Sequence, residues 1–88
     1  MYLAKVTGAL VSTTKHISLN GAKLLMVARL DEHYHPTGST QIAVDFVGAG
    51  NGEIVIISTG SSARMSNSTA HSVIDAAVVG IVDPQDLA

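Results

Sequence analysis

Three groups of residues in this 88-residue chain have types that could do chemistry. Ser61 or Ser62, with His71 and Asp75, supplies a hydroxyl, an imidazole and a carboxylate, the parts of a hydrolytic triad. The nucleophile elbow of such enzymes reads G-x-S-x-G, and Gly60-Ser61-Ser62-Ala63 does not match it, so turn serines are the simpler reading and no catalytic residue is assigned. His33 and His35 fall on the same side of an extended chain and would make half of a metal site. No Asp, Glu or Cys stands at a ligand spacing to complete it, so solvated loop histidines are expected, with neither metal nor cofactor. The third group is Gly48, Gly50 and Gly52, alternate glycines whose backbone N–H groups could cradle an anion.

The elements around those glycines decide how they are read. A dinucleotide fingerprint needs its glycine turn to open a helix, whose N-terminus meets the pyrophosphate. Here the run Ile42 to Val47 leads into the glycines, and the β-branched run Ile54 to Ile57 follows them. The segment therefore reads strand, glycine loop, strand, and the nucleotide reading loses its context. Close approach of chains is the better use for Gly48, Ala49, Gly50, Asn51 and Gly52.

The other elements follow from the side-chain period of two. Tyr2 to Thr13 alternates as a first strand, with Gly8 marking a bend. Thr13 to Ala22 is polar, ends in Asn20-Gly21, and reads as a connection. A second strand runs from Lys23 to Asp31. The segment Asp31 to Thr40, DEHYHPTGST, has the composition of an exposed loop. Two strands flank the glycine loop, Thr59 to Ser72 is small and polar with one possible helical turn at Ser61 to Arg64, and a last strand runs from Asp75 to Val82 before Asp83-Pro84 stops it. Five strands and no long helix predict an all-β fold, a small five-stranded barrel forming one domain over residues 1–88.

Composition narrows the function. Charged residues make up 14% of the chain, against about 25% in an ordinary soluble domain. The five basic residues are scattered and the aromatics are only Tyr2, Tyr34 and Phe46. Neither a phosphate-tracking stripe nor a base-stacking platform is available, so nucleic acid is an unexpected partner. The N-terminus lacks a basic region followed by an apolar core, and no apolar run is long enough to span a bilayer as a helix, which predicts a soluble, unexported protein without a membrane partner. The absence of cysteine is compatible with a reducing cytosol.

A small barrel is marginal alone. Leu25, Val27, Val55, Ile57, Val78 and Val82 read as surplus to a single interior and in need of cover by neighbouring subunits. Arg64, the only formal charge between Glu53 and Asp75, reads as a fixed donor at an interface, satisfied by carbonyls or by a carboxylate such as Asp45, Glu53 or Asp75. A binding module for an anion or oligonucleotide is the competing reading.

The ordered succession YLAKVTGALVST, Thr14-Lys15, Leu19-x-Gly21-x-Lys23-Leu24-Leu25, Ala43-Val44-Asp45-x-Val47-Gly48-Ala49-Gly50-x-Gly52-Glu53, Gly60-Ser61-Ser62-Ala63-Arg64 and Asp75-x-x-Val78-x-Gly80-Ile81-Val82-Asp83 closely resembles the bacterial microcompartment vertex proteins, the EutN/CcmL family. The resemblance covers nearly the whole chain. It implies a barrel of oligonucleotide-binding topology with no oligonucleotide role, assembled as a homopentamer in the shell of a microcompartment in the bacterial cytoplasm. It further implies a structural role, capping vertices and meeting hexameric shell proteins, rather than an enzymatic one. With it come two expectations about sites. The loop from Gly48 to Gly52 should lie near the fivefold axis or at a subunit contact, and Asp45, Glu53, Ser61, Ser62, Ala63, Arg64 and Asp75 should lie at the subunit interface.

Overall fold

A computed structural model describes residues 1–10, 23–60 and 75–87. Five strands, β1 (Tyr2–Leu10), β2 (Lys23–Leu30), β3 (Pro36–Asp45), β4 (Ile54–Thr59) and β5 (Ala76–Val82), close into a barrel in the order β1-β2-β3-β5-β4. Every neighbouring pair is antiparallel except β3 with β5, which meet in parallel through Val44↔Ala77 and Asp45↔Val78. Closure removes the unpaired edges that make a small open sheet prone to association. The all-β barrel expected from the alternation is the fold observed, and among the described residues no helix is long and apolar enough to cross a membrane.

The interior is aliphatic. Ala4 and Val6 of β1, Leu25 and Val27 of β2, Ala43 of β3, Val55 and Ile57 of β4, and Ala76 and Val78 of β5 form one buried cluster. This reverses part of the sequence reading. Leu25, Val27, Val55, Ile57 and Val78 are not surplus residues awaiting a neighbour but the barrel core itself, and Val82 is half-buried. The residues left over lie on the opposite face. Leu24 and Met26 are half-buried, Val44 and Ala77 form a second cluster with Leu24 and Phe46, and Ile42, beside Met26 in the register, is 52% exposed. Because successive side chains point to opposite faces, a strand that is apolar on both cannot announce which face turns inward.

Two departures in strand length have local causes. β3 begins at Pro36 rather than at Ile42, so only the first half of DEHYHPTGST is a turn. Asp31 Oδ1 accepts from the N–H of His33 and of His35, and Tyr34 takes φ 65, which folds five residues tightly enough to leave the rest extended. Those two N–H bonds hold the Asp31 carboxyl below its ordinary value. His33 and His35 are exposed on this turn, and no group of three potential ligands forms among the described residues. At its other end β3 stops at Asp45 rather than Val47. The bend expected at Gly8 is a break in register between Val6 and Gly8. A 3₁₀ turn, Pro84–Asp86, follows β5, with Asp83 capping the N–H of Gln85. The turn expected at Ser61 to Arg64 lies outside the described residues.

The end of the barrel where β1 starts is closed by polar contacts. Tyr2 packs on the core, its hydroxyl donates to Gln41 Oε1, and the Arg29 guanidinium lies 4.5 Å from the centre of its ring. Burial pushes the Tyr2 phenol above its ordinary value, Arg29 acting against this and Asp75 with it. The interior assignment makes a direct prediction. Ile57→Ala should lower unfolding free energy by about 2–5 kcal/mol, read by chemical denaturation, whereas the exposed Lys5→Ala should stay within about 0.5 kcal/mol.

Candidate functional site

The loop between β3 and β4 closes the opposite end of the barrel. Ala43 faces the interior and Val44 the outside, so alternation carries Asp45 inward, at the mouth of an aliphatic barrel. Its side chain is only 1% exposed. Oδ1 accepts from the N–H of Val47 at 3.0 Å and of Gly48 at 3.1 Å, the local pattern by which a short acidic side chain turns the chain out of a strand. Gly48 then takes φ 81, a conformation open to glycine at no steric cost. This sends the chain back over the mouth, where Ala49 is fully buried against the core.

A second turn brings the chain down to β4. Glu53 N–H donates to Gly50 O at 3.1 Å, with Gly52 at φ 87 in the third position of the turn. Glu53 Oε1 reaches back to the N–H of Gly50 at 2.6 Å. A Cβ at position 50 would lie 3.2 Å from that oxygen, so the small size of Gly50 leaves the carboxylate its place. The turn is stitched to β1 by Gly52 N–H to Val6 O at 2.8 Å and Val6 N–H to Glu53 O at 2.9 Å. From β2, Lys23 Nζ donates to Ala49 O at 3.0 Å and lies 3.5 Å from Asp45 Oδ2.

This geometry bears on the anion reading. An anion nest needs backbone N–H groups free to donate outward. In this loop the N–H groups of Val47, Gly48 and Gly50 already donate to the chain's own carboxylates, and that of Gly52 to β1. Two acidic side chains fill the position an external anion would take.

Of the residues singled out for the interface, Asp45 is turned into its own barrel, Glu53 is exposed but tied to the loop, and Asp75 is exposed at the start of β5, its carbonyl accepting from Gly60 N–H at 2.9 Å. Ser61, Ser62, Ala63, Arg64 and His71 lie outside the described residues. Sequence reasoning missed Lys23. Its only signal was register: once β2 and β3 are paired, Lys23 falls directly opposite Asp45.

With this arrangement in view, the comparisons with known proteins agree on one family. The family model described as "Ethanolamine utilisation protein EutN/carboxysome" matches residues 1–83. The chain is 70% identical over 83 residues to the bacterial microcompartment shell vertex protein GrpN of Rhodospirillum rubrum (strain F11), spanning 94% of this chain and 93% of that one. It is 54% identical over 87 residues to the shell vertex protein PduN of Salmonella typhimurium, spanning 94% and 96%. The solved structure described as the GrpN pentameric microcompartment shell protein from Rhodospirillum rubrum superposes with a TM-score of 0.85 at 69% identity, over 94% of this chain and 93% of that one. The barrel, the glycine loop that closes it and the match along nearly the whole sequence make this chain a member of the EutN/CcmL family.

Proposed function

We propose that this chain is a structural subunit of a bacterial microcompartment shell, working as a single vertex domain that assembles into a homopentamer and caps the vertices. The observation that carries the proposal is the 69% identity and matching fold with a solved pentameric shell protein. The mechanism is geometric: a sheet of sixfold tiles stays flat, and fivefold units let it curve and close. In this reading the pentamer meets hexameric shell proteins along its sides, inside the cytoplasm, with no part in catalysis and no nucleic-acid partner.

The surface is suited to burial in neighbours. Ile42, Val47, Val79 and Ile81 are large apolar residues left exposed; Ile42 lies beside half-buried Met26 of β2, and Val79 and Ile81 lie on the outside of β5. Exposed apolar area of this kind marks a contact surface. A subunit in a ring uses two different patches, one for each neighbour. We assign the loop Gly48 to Gly52 to the fivefold axis or a subunit contact beside it, because its rigid, small-residue backbone allows close approach. Arg64 is assigned to the same interface, with Glu53 or Asp75 of a neighbour as acceptor. Asp45 serves that interface from within its own barrel, where its carboxylate is enclosed.

Native mass spectrometry tests the assembly. A predominant pentamer is expected; a monomer would defeat the assembly reading, and a hexamer would spare assembly but defeat the vertex role. Co-expression with hexameric shell proteins should give closed shells with this chain and unclosed sheets or tubes without it.

Two substitutions test the sites. Arg64→Ala should weaken assembly by about 2–5 kcal/mol, and Arg64→Lys should restore little of it because an ammonium lacks the planar fork. Gly50→Trp should block the ring. Pentamers unchanged in concentration dependence would remove the corresponding assignment in either case.

A further inference from the structure

Asp45 Oδ2 is the one buried side-chain oxygen or nitrogen that lacks a hydrogen bond among the described residues. Its partner oxygen holds the first turn of the glycine loop, and the surroundings are the aliphatic barrel mouth. An ionised carboxylate in such a place needs a cation. Among the described residues the one that meets it is Lys23, 3.5 Å from Oδ2, which at the same time donates to Ala49 O at 3.0 Å. Lys23 is half-exposed, with the outer part of its side chain in water. One ammonium therefore compensates the buried charge that turns the chain into the loop and grips the residue that plugs the barrel.

We infer that Lys23 is the positioning residue of the glycine loop, holding Ala49 in the barrel mouth and thereby fixing the loop surface that the subunits use in assembly. The assembly part rests on the pentamer proposed above; the loop part does not. Lys23 acts by neutralising Asp45, not by touching a neighbouring copy. Without it the buried carboxylate is left with no cation beside Oδ2 and draws water inward, which the loop admits by lifting Ala49 out. A lifted loop has to be reordered at each subunit contact, so association weakens through lost preorganisation rather than through a lost contact.

The mechanism sets up a reciprocal rescue. Lys23→Met keeps the length and apolar stem of the side chain and removes the charge. Asp45→Asn keeps an oxygen able to accept from Val47 and Gly48 while removing the charge that Lys23 compensates. By amide hydrogen exchange, Lys23→Met should speed exchange at Val47 and Gly48 by about tenfold or more, with Val27 in β2 remaining protected to show that the barrel is intact. Native mass spectrometry should show its pentamers dissociating at higher protein concentration than wild type. Adding Asp45→Asn should return most of both losses. Unchanged exchange in Lys23→Met would overturn the inference, and so would a double variant no better than Lys23→Met, the result expected if Lys23 binds a neighbour directly. A wild-type protein that forms no pentamer would defeat the assembly reading alone, since exchange at Val47 and Gly48 still reads the loop.

Discussion

A carboxylate placed at the mouth of an aliphatic barrel is the constraint on which the upper half of this molecule depends. Left bare, Asp45 would cost more than any single apolar contact nearby returns. The sequence around it supplies what it needs: two N–H groups from the residues that follow, and an ammonium from the strand alongside. Meeting those needs dictates the path of the loop. The chain must turn at Gly48, Ala49 must drop into the mouth, and Lys23 must lie across it. A polar requirement thereby fixes a shape that hydrophobic burial, being non-directional, would leave loose.

The same economy appears in the second half of the loop, where Glu53 folds back on Gly50 as Asp45 does on Gly48. Both carboxylates are spent on the chain's own backbone. The result is a connection of eight residues, Phe46 to Glu53, tied backbone to backbone to the strands only by Phe46 N–H to Val78 O and the stitches to Val6, yet with its N–H groups largely accounted for. Such a loop loses little conformational entropy when another surface covers it, which is the property a repeated subunit contact favours.

How much of this could be read from the residues depended on the range of the interaction involved. Strand number, order along the chain and the strand-loop-strand context of the glycines follow from local alternation, and the structure has them. The choice of inner face did not follow. Leu24 and Leu25, or Ile56 and Ile57, are equally apolar, and only pairing across the barrel decides that Leu25 and Ile57 face in. The first half of β3 was hidden because Pro36 to Thr40 is small and polar, with no apolar residue to set a period. Lys23 looked like an ordinary lysine at a strand start. Its role arises from a pairing 22 positions away, Lys23↔Asp45, which local reasoning does not reach. The family resemblance supplied the ring and its fivefold number, and neither alternation nor composition contains that number.

That early part of β3 has a different significance from the rest of the barrel. From Pro36 to Thr40 the strand is exposed throughout, paired to β2 on one side, while its parallel pairing with β5 begins only at Val44. No interior residue comes from this stretch, and the turn at its tip is held by the local bonds of Asp31. The hairpin tip is thus structurally autonomous: its side chains can be exchanged, or its turn lengthened, at small expense to the core. For anyone wishing to display a peptide or an affinity handle on this scaffold, the segment from Glu32 to Ser39 is the place where the fold tolerates new sequence.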